Sequence, residues 1–160
     1  MFKCDKDDDI EKFLHKKAVS HIERGICNVY LILDEEKFEH NIIEIIAYFT
    51  LSHRSLEFHS NVSKSKIRDV AGFKDKASTP VVLIGQLGKY INGEKKAEIS
   101  IKEMLEYVFE IIKASSELIP CRVALVECSE LIHKLGIYEN VGFKLLQQDN
   151  EFYQYNKTIS

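Results

Sequence analysis

Apolar positions along the chain recur at two spacings, and each predicts a different kind of element. Ile10, Phe13, Leu14, Ala18 and Ile22 repeat at helical intervals, so residues 9–24 read as an amphipathic helix. Asp7-Asp8-Asp9 precede it with side chains suited to the positive end of a helix dipole, and Gly25 ends it. Residues 27–34 (CNVYLILD) are rich in β-branched and aromatic side chains and read as a strand. A polar turn follows over Asp34–Asn41, and residues 42–52 (IIEIIAYFTLS) read as a second strand paired with the first. Residues 53–79 are irregular apart from a short helix around 63–71.

The second half is more regular. Residues 80–89 form a strand ending in Gly85-Gln86-Leu87-Gly88-Lys89, and 90–99 read as a lysine-rich loop. Ser100 and Glu103 have the spacing of a capping box, and Ile101, Met104, Leu105, Val108, Phe109, Ile111 and Ile112 extend a helix from there to about 118. Pro120 stops it. Residues 121–128 (CRVALVEC) form a strand and 129–140 a short helix; 142–148 and 151–158 form a hairpin turning at Asp149-Asn150. The order predicts a mixed α/β domain, one unit over residues 1–160, without repeat or linker.

Length and composition fit that reading: 160 residues, 45% hydrophobic and 29% charged, are enough for one buried core. No stretch approaches the roughly 20 apolar residues of a membrane span, and the start lacks a signal peptide's apolar core, so the expected location is cytoplasmic with no membrane partner. Cys4, Cys27, Cys121 and Cys128 make no CxxC pair and read as reduced thiols rather than a metal site. The net charge of −3 is uneven. Residues 54–96 carry nine Lys/Arg against four Asp/Glu, between flanks that are each acidic. A basic middle suits a polyanion, either a coenzyme phosphate or nucleic acid, though a solvated surface has the same composition.

The most informative local feature is the strand end at 86–89, the basic loop and the capped helix after it. A helix N-terminus presents unpaired N–H groups with partial positive charge and takes phosphate well; Lys95 and Lys96 add to it. With this element order, the chain resembles the GNAT acetyltransferase family over nearly its whole length. The resemblance implies a central, mostly antiparallel sheet flanked by helices, with splayed fourth and fifth strands. It implies acetyl-CoA as co-substrate, with Leu87, Gly88 and Lys89 meeting the pantetheine and acetyl carbonyl. It also implies that the backbone of Lys95, Ala97, Ile99 and Ser100 meets the pyrophosphate. Tyr138-Glu139-Asn140-Val141-Gly142-Phe143 matches the family's Y-E-x-x-G-F pattern, in which the tyrosine protonates the departing thiolate. A phenol near pKa ~10 can supply a thiolate near ~8.5 when held in contact. The chain departs from the family at 96–101 (KAEISI), where both glycines of the phosphate loop are replaced.

The reaction so implied is direct attack by a neutral amine on the thioester, the oxyanion held by an N–H of the 87–89 stretch. Glu44 and Glu127 are carboxylate candidates for a base, with His53, His59 and His133 as further ones; none is singled out. The N-terminal half (Phe2-Lys3-Cys4, Phe13-Leu14, Val29–Ile32, Ile46–Ser52) is similar to the GNAT subgroup containing toxins that acetylate aminoacyl-tRNA. The acceptor classes are therefore a small molecule, a protein or the α-amine of aminoacyl-tRNA. A homodimer and an antitoxin are the protein partners such families carry. A non-catalytic domain that binds CoA or a partner is the rival reading.

Overall fold

The computed structural model describes residues 1–159. The chain gathers into two compact units, one of residues 1–52 and 85–104, the other of 53–84 and 105 onward.

In the first unit Asp7 caps α1 (Asp8–Lys16), its carboxylate accepting from the N–H groups of Asp9 at 2.9 Å and Ile10 at 3.4 Å. The helix expected over 9–24 breaks at Lys17 (φ −118°) and resumes as α2 (Ala18–Glu23). The break buries Ala18 and sets the His21 ring edge-on to Phe13 at 5.1 Å. Phe2, Cys4, Ile10, Phe13 and Ala18 surround Tyr48, which is fully buried and donates its hydroxyl proton to the Ile10 carbonyl. β1 (Asn28–Leu33) pairs antiparallel with β2 (Ile45–Glu57), from Asn28↔Leu51 to Leu33↔Ile45. The expected turn between them contains α3 (Glu35–Glu39), because the Asp34 carboxylate caps it at Lys37 N–H. β2 therefore starts at Ile45, not residue 42; Asn41 takes φ 61° and Ile42 and Ile43 are exposed. The expected loop at 90–99 holds a small hairpin, β4 (Ile91–Asn92) against β5 (Lys95–Lys96). Gly93 (φ 61°) takes the first loop position, where a two-residue hairpin of the II′ kind carries glycine.

In the second unit β6 (Val123–Cys128) is central, with Val123 to Val126 all buried. It pairs in parallel with β3 (Ser78–Lys89) and antiparallel with β8 (Phe152–Thr158), and β7 (Lys144–Asp149) lies beyond β8. The sheet is thus mostly antiparallel with one parallel pair, as expected, and β3 and β6 are that pair. Their ladder covers Val82↔Ala124 to Ile84↔Val126 and stops five residues before β3 ends. β2 extends beyond the expected residue 52 to Glu57, because Leu56 is buried with Val62, Val70, Val81, Val123, Leu125 and Leu146. α4 (Lys64–Ala71) lies where expected, capped by Ser63 and ended by Gly72 at φ 84°. α5 (Ile101–Leu118) passes from one unit to the other. The helix expected over 129–140 is shorter: α6 (Glu130–Lys134) stops before Gly136 (φ 64°), and a 3-10 turn follows at Glu139–Val141. The β7–β8 turn is Asn150-Glu151, one residue later than expected, with Asn150 at φ 53°.

Candidate active site

All seven residues expected to meet the coenzyme lie in the first unit, and Leu87, Lys89, Ala97, Ile99 and Ser100 gather around the end of β3 and the start of α5. Leu87, Ala97 and Ile99 pack together with Ala47 and Met104. Lys89 donates from Nζ to the Ile99 carbonyl at 3.0 Å, tying the strand end to the residue before the helix cap. The capping box forms in full: Ser100 N–H donates to Glu103 Oε2 at 2.7 Å and Glu103 N–H donates to Ser100 Oγ at 3.1 Å. Lys95 is exposed on β5. Gly88 is buried, and a Cβ there would lie 2.3 Å from Ile10 Cγ2, so α1 packs on bare backbone at this point. Gly85 meets Thr50 in the same way, at 2.6 Å from Oγ1, and that hydroxyl accepts from Gln86 N–H at 2.8 Å.

The phosphate end is altered in a way that matches the missing glycines. Ala97 N–H donates to the Tyr90 carbonyl at 2.9 Å, and Ser100 N–H is held by Glu103. Three of the four backbone groups expected on the pyrophosphate are thus already bonded within the protein, since the Asn92↔Lys95 pair that closes the hairpin engages the Lys95 N–H as well. In the first turn of α5, Met104 N–H goes to the Ser100 carbonyl and Glu103 N–H to Ser100 Oγ. Ile101 and Lys102 carry the donors that helix geometry leaves over. The Glu103 carboxyl is held below the usual range by the Ser100 N–H, then by the Ser100 hydroxyl, with Lys89 adding to it, so a negative charge sits at the helix start. Lys95, Lys96 and Lys102 are exposed and offset it. A phosphate group fits this end through the two spare N–H groups and the lysines.

The second unit holds Tyr138, and its surroundings explain the Y-E-x-x-G-F pattern physically. Gly142 takes φ 91°; its N–H donates to the Glu139 carbonyl at 3.1 Å, and Phe143 N–H donates to the Tyr138 carbonyl at 3.0 Å. These are the two bonds of a Schellman cap, and the apolar contact that accompanies one is present: the Tyr138 and Phe143 rings meet edge-on at 5.5 Å. Lys157 closes the turn by donating to the Val141 carbonyl at 3.0 Å. Tyr138 is half-buried, and burial, with the Cys128 thiolate adding to it, pushes its phenol up to about 12. A group so placed stays protonated at neutral pH, and the same burial makes it a weaker acid than a free phenol.

The base candidates are occupied or exposed. Glu44 is ion-paired with Lys37 in the first unit. In the second, Glu127 is ion-paired with Arg54 and also accepts from Gln154 Nε2 at 3.2 Å. His59 Nε2 contacts Asp149 Oδ1 at 3.1 Å, and His53 is exposed. His133 Nδ1 contacts the Tyr155 hydroxyl. Sequence reading missed Tyr155, whose alternation within 152–158 already marked it for the sheet interior, and Thr50, which carried no signal. It also missed the buried Gln147–Gln154 pair, where Gln147 Nε2 donates to Gln154 Oε1 at 2.7 Å and to the Glu57 carbonyl at 2.9 Å.

Among the described residues, no helix is long and apolar enough to cross a membrane. The fold is a mixed α/β domain with a mostly antiparallel sheet flanked by helices. No family model matches the chain, and no curated protein matches it. Solved structures do. A bacterial toxin shares 18% identity over 99% of this chain and 82% of its own, with a TM-score of 0.75. AtaT complexed with acetyl-methionyl-tRNAfMet shares 19% over 98% and 85%, with a TM-score of 0.72. A mutant of KacT shares 18% over 97% and 85%, with a TM-score of 0.70. A mutant AtaT toxin bound to the C-terminus of the antitoxin AtaR and acetyl-CoA shares 16% over 99% of this chain and 83% of its own, with a TM-score of 0.68.

Proposed function

We propose that the chain is a single-domain N-acetyltransferase of the cytoplasm that moves an acetyl group from acetyl-CoA to a primary amine. The observation that carries the proposal is the likeness, over 97–99% of the chain, to toxins that include AtaT with acetyl-CoA and with acetylated tRNA. Leu87, Gly88 and Lys89 would bond the pantetheine arm. The Lys95 side chain and the backbone of Ile99, Ile101 and Lys102 would take the pyrophosphate, and Ala97 and Ser100 would join them only by giving up their present partners. Tyr138 would donate the proton to the thiolate leaving group, and its raised pKa keeps that proton available at any working pH.

The acceptor we propose is the α-amine of an aminoacyl-tRNA. Such an amine, with pKa about 7.7–8.0, is about half to two-thirds neutral near pH 8 and attacks without a strong base. The pairing of Glu44 with Lys37 and of Glu127 with Arg54 agrees with that, since each carboxylate already holds a cation. Exposed lysines on α4 and β5 supply phosphate contacts. An antitoxin-type protein and a second copy of the chain are proposed partners. A second reading, a domain that binds CoA without turnover, is favoured by one observation, the engaged Ala97 and Ser100 N–H groups. Calorimetric titration with acetyl-CoA, followed by thiol release over a panel of amines, separates the two. Heat with thiol release supports the enzyme, heat alone the binding domain, and no heat removes both.

A further inference from the structure

Beside Tyr138 lies a hydrogen-bond chain that acetyl transfer, as described above, leaves unused. On β8, Tyr155 is 1% exposed and its ring lies 6.2 Å from that of Tyr138. Its hydroxyl faces two partners: His133 Nδ1 on α6 at 2.5 Å and Glu139 Oε1 in the 3-10 turn at 3.3 Å. The His133 ring is half-buried and stacks on Tyr153, with centroids 3.8 Å apart and planes 8° apart. Two strand tyrosines thus hold the helix that leads into the Tyr138 turn. Around the same group lie Cys128 on β6 and the Glu130–Lys134 pair of α6, which is exposed and closed on itself at 3.1 Å.

The tyrosine hydroxyl has one proton to give. If it goes to His133, the Glu139 carboxylate faces only lone pairs and that contact is not a bond. If it goes to Glu139, His133 must donate from Nδ1, and both contacts become bonds. The contact to Glu139, at 3.3 Å, is long for a hydroxyl–carboxylate bond and the one to His133 is short. What favours the second arrangement is that it alone leaves neither contact as two facing acceptors. We infer that His133, Tyr155 and Glu139 form a directed chain, Nδ1–H to Oη and O–H to carboxylate, that positions the turn carrying Tyr138. All three are positioning residues. The consequence for catalysis rests on the proposed role of Tyr138; the direction of the chain does not.

The turn needs such a pin. Gly136 (φ 64°) and Gly142 (φ 91°) bracket it, and glycine leaves both ends free to rotate. Lys157 ties it at Val141, and Glu139 ties it on the side next to Tyr138. A displacement of about 1 Å at a reacting group is enough to cost ~100-fold in rate.

The test uses the full chain in two arms. Two-bond proton–nitrogen NMR correlations of the imidazoles report the His133 protonation state directly. The chain requires Nδ1 to be protonated, and a bare Nδ1 with the proton on Nε2 alone overturns it. In the kinetic arm, Tyr155→Phe, His133→Ala and Glu139→Ala are expected to lower kcat by about tenfold or more with KM for acetyl-CoA unchanged. His133→Asn, whose amide N–H replaces Nδ1–H, and Glu139→Gln, whose carbonyl still accepts, should recover most of the loss. If His133→Asn falls as far as His133→Ala, or if KM carries the change, the positioning role is wrong. If the wild type transfers no acetyl group at all, the acetyltransferase reading fails, and the NMR arm still decides the chain.

Discussion

Replacing Gly88 with alanine separates two explanations for a glycine near the end of β3. The added Cβ would lie 2.3 Å from Ile10 Cγ2 and 3.4 Å from Ile10 Cβ and Cδ1. Non-bonded carbons rest about 3.5–4.0 Å apart, so Ile10 would have to retreat by more than ~1 Å. It has little freedom to do so. It is β-branched on a helix, with one strongly preferred rotamer, it is 8% exposed, and its carbonyl accepts the Tyr48 hydroxyl. Overpacking of this kind costs about 1–3 kcal/mol, while restricting the unfolded chain returns about 0.4–1 kcal/mol. Gly88→Ala is therefore expected to destabilise by roughly 1–2 kcal/mol, which is a few degrees in Tm for a chain of this size. Ile10→Ala alone should cost about 2–5 kcal/mol through the cavity it leaves. In the double variant the clash is gone while the unfolded-state gain remains, so its cost should fall below the sum of the singles by about 1–3 kcal/mol, the full overpacking cost. Urea titrations of the four proteins measure this. Additivity within about 0.5 kcal/mol would refute the packing explanation and leave close approach of a ligand as the reason for the glycine.

Tyr138→Phe should lower kcat by about 10²–10⁴-fold while acetyl-CoA affinity, measured by calorimetry, stays the same. Glu103 gains stability from its lowered pKa; that gain is present above the ordinary glutamate pKa of ~4.3 and is lost as pH falls through the folded value. Urea midpoints taken from pH 6 to pH 3 should therefore drop further for the wild type than for Glu103→Gln, and that variant should also bind acetyl-CoA more tightly. Tyr138 and Tyr155 are both pushed up to about 12, so the folded state keeps protons that the unfolded chain loses above pH ~10. Stability should decline between about pH 10 and 12, and less steeply in a variant with both replaced by phenylalanine. Gln147→Leu leaves the Glu57 carbonyl and the His59 N–H without their partner and should cost about 1–3 kcal/mol by urea titration.

The sequence pattern was a good guide wherever one short-range rule decided the outcome. Ser100 and Glu103 bond reciprocally as their spacing predicts, Ser63 and Gly72 delimit α4, and buried Val123–Val126 form β6. It misled where long-range packing decided. His53 to Glu57 look like loop, yet Leu56 belongs to a core cluster and carries β2 onward. Asp34, read as a turn residue, caps a helix instead. For the candidate site, the gathering of Leu87, Lys89, Ala97, Ile99 and Ser100 was legible from element order, as was the Tyr138 motif. That Ala97 and Ser100 would have their N–H groups occupied was not, because it depends on where the Tyr90 carbonyl and the Glu103 side chain point. The Tyr155 chain was likewise hidden, since it joins a helix, a turn and a strand whose meeting no local spacing encodes.

Label from [acetyl-¹⁴C]acetyl-CoA can be followed into a panel of aminoacyl-tRNAs, with deacylated tRNA and the Tyr138→Phe protein as controls. The account predicts label on the α-amine of at least one charged tRNA, none on deacylated tRNA, and little with the variant. Charged tRNAs that remain unlabelled at saturating acetyl-CoA would contradict the proposed acceptor. Equal labelling by wild type and variant would contradict the role given to the tyrosine.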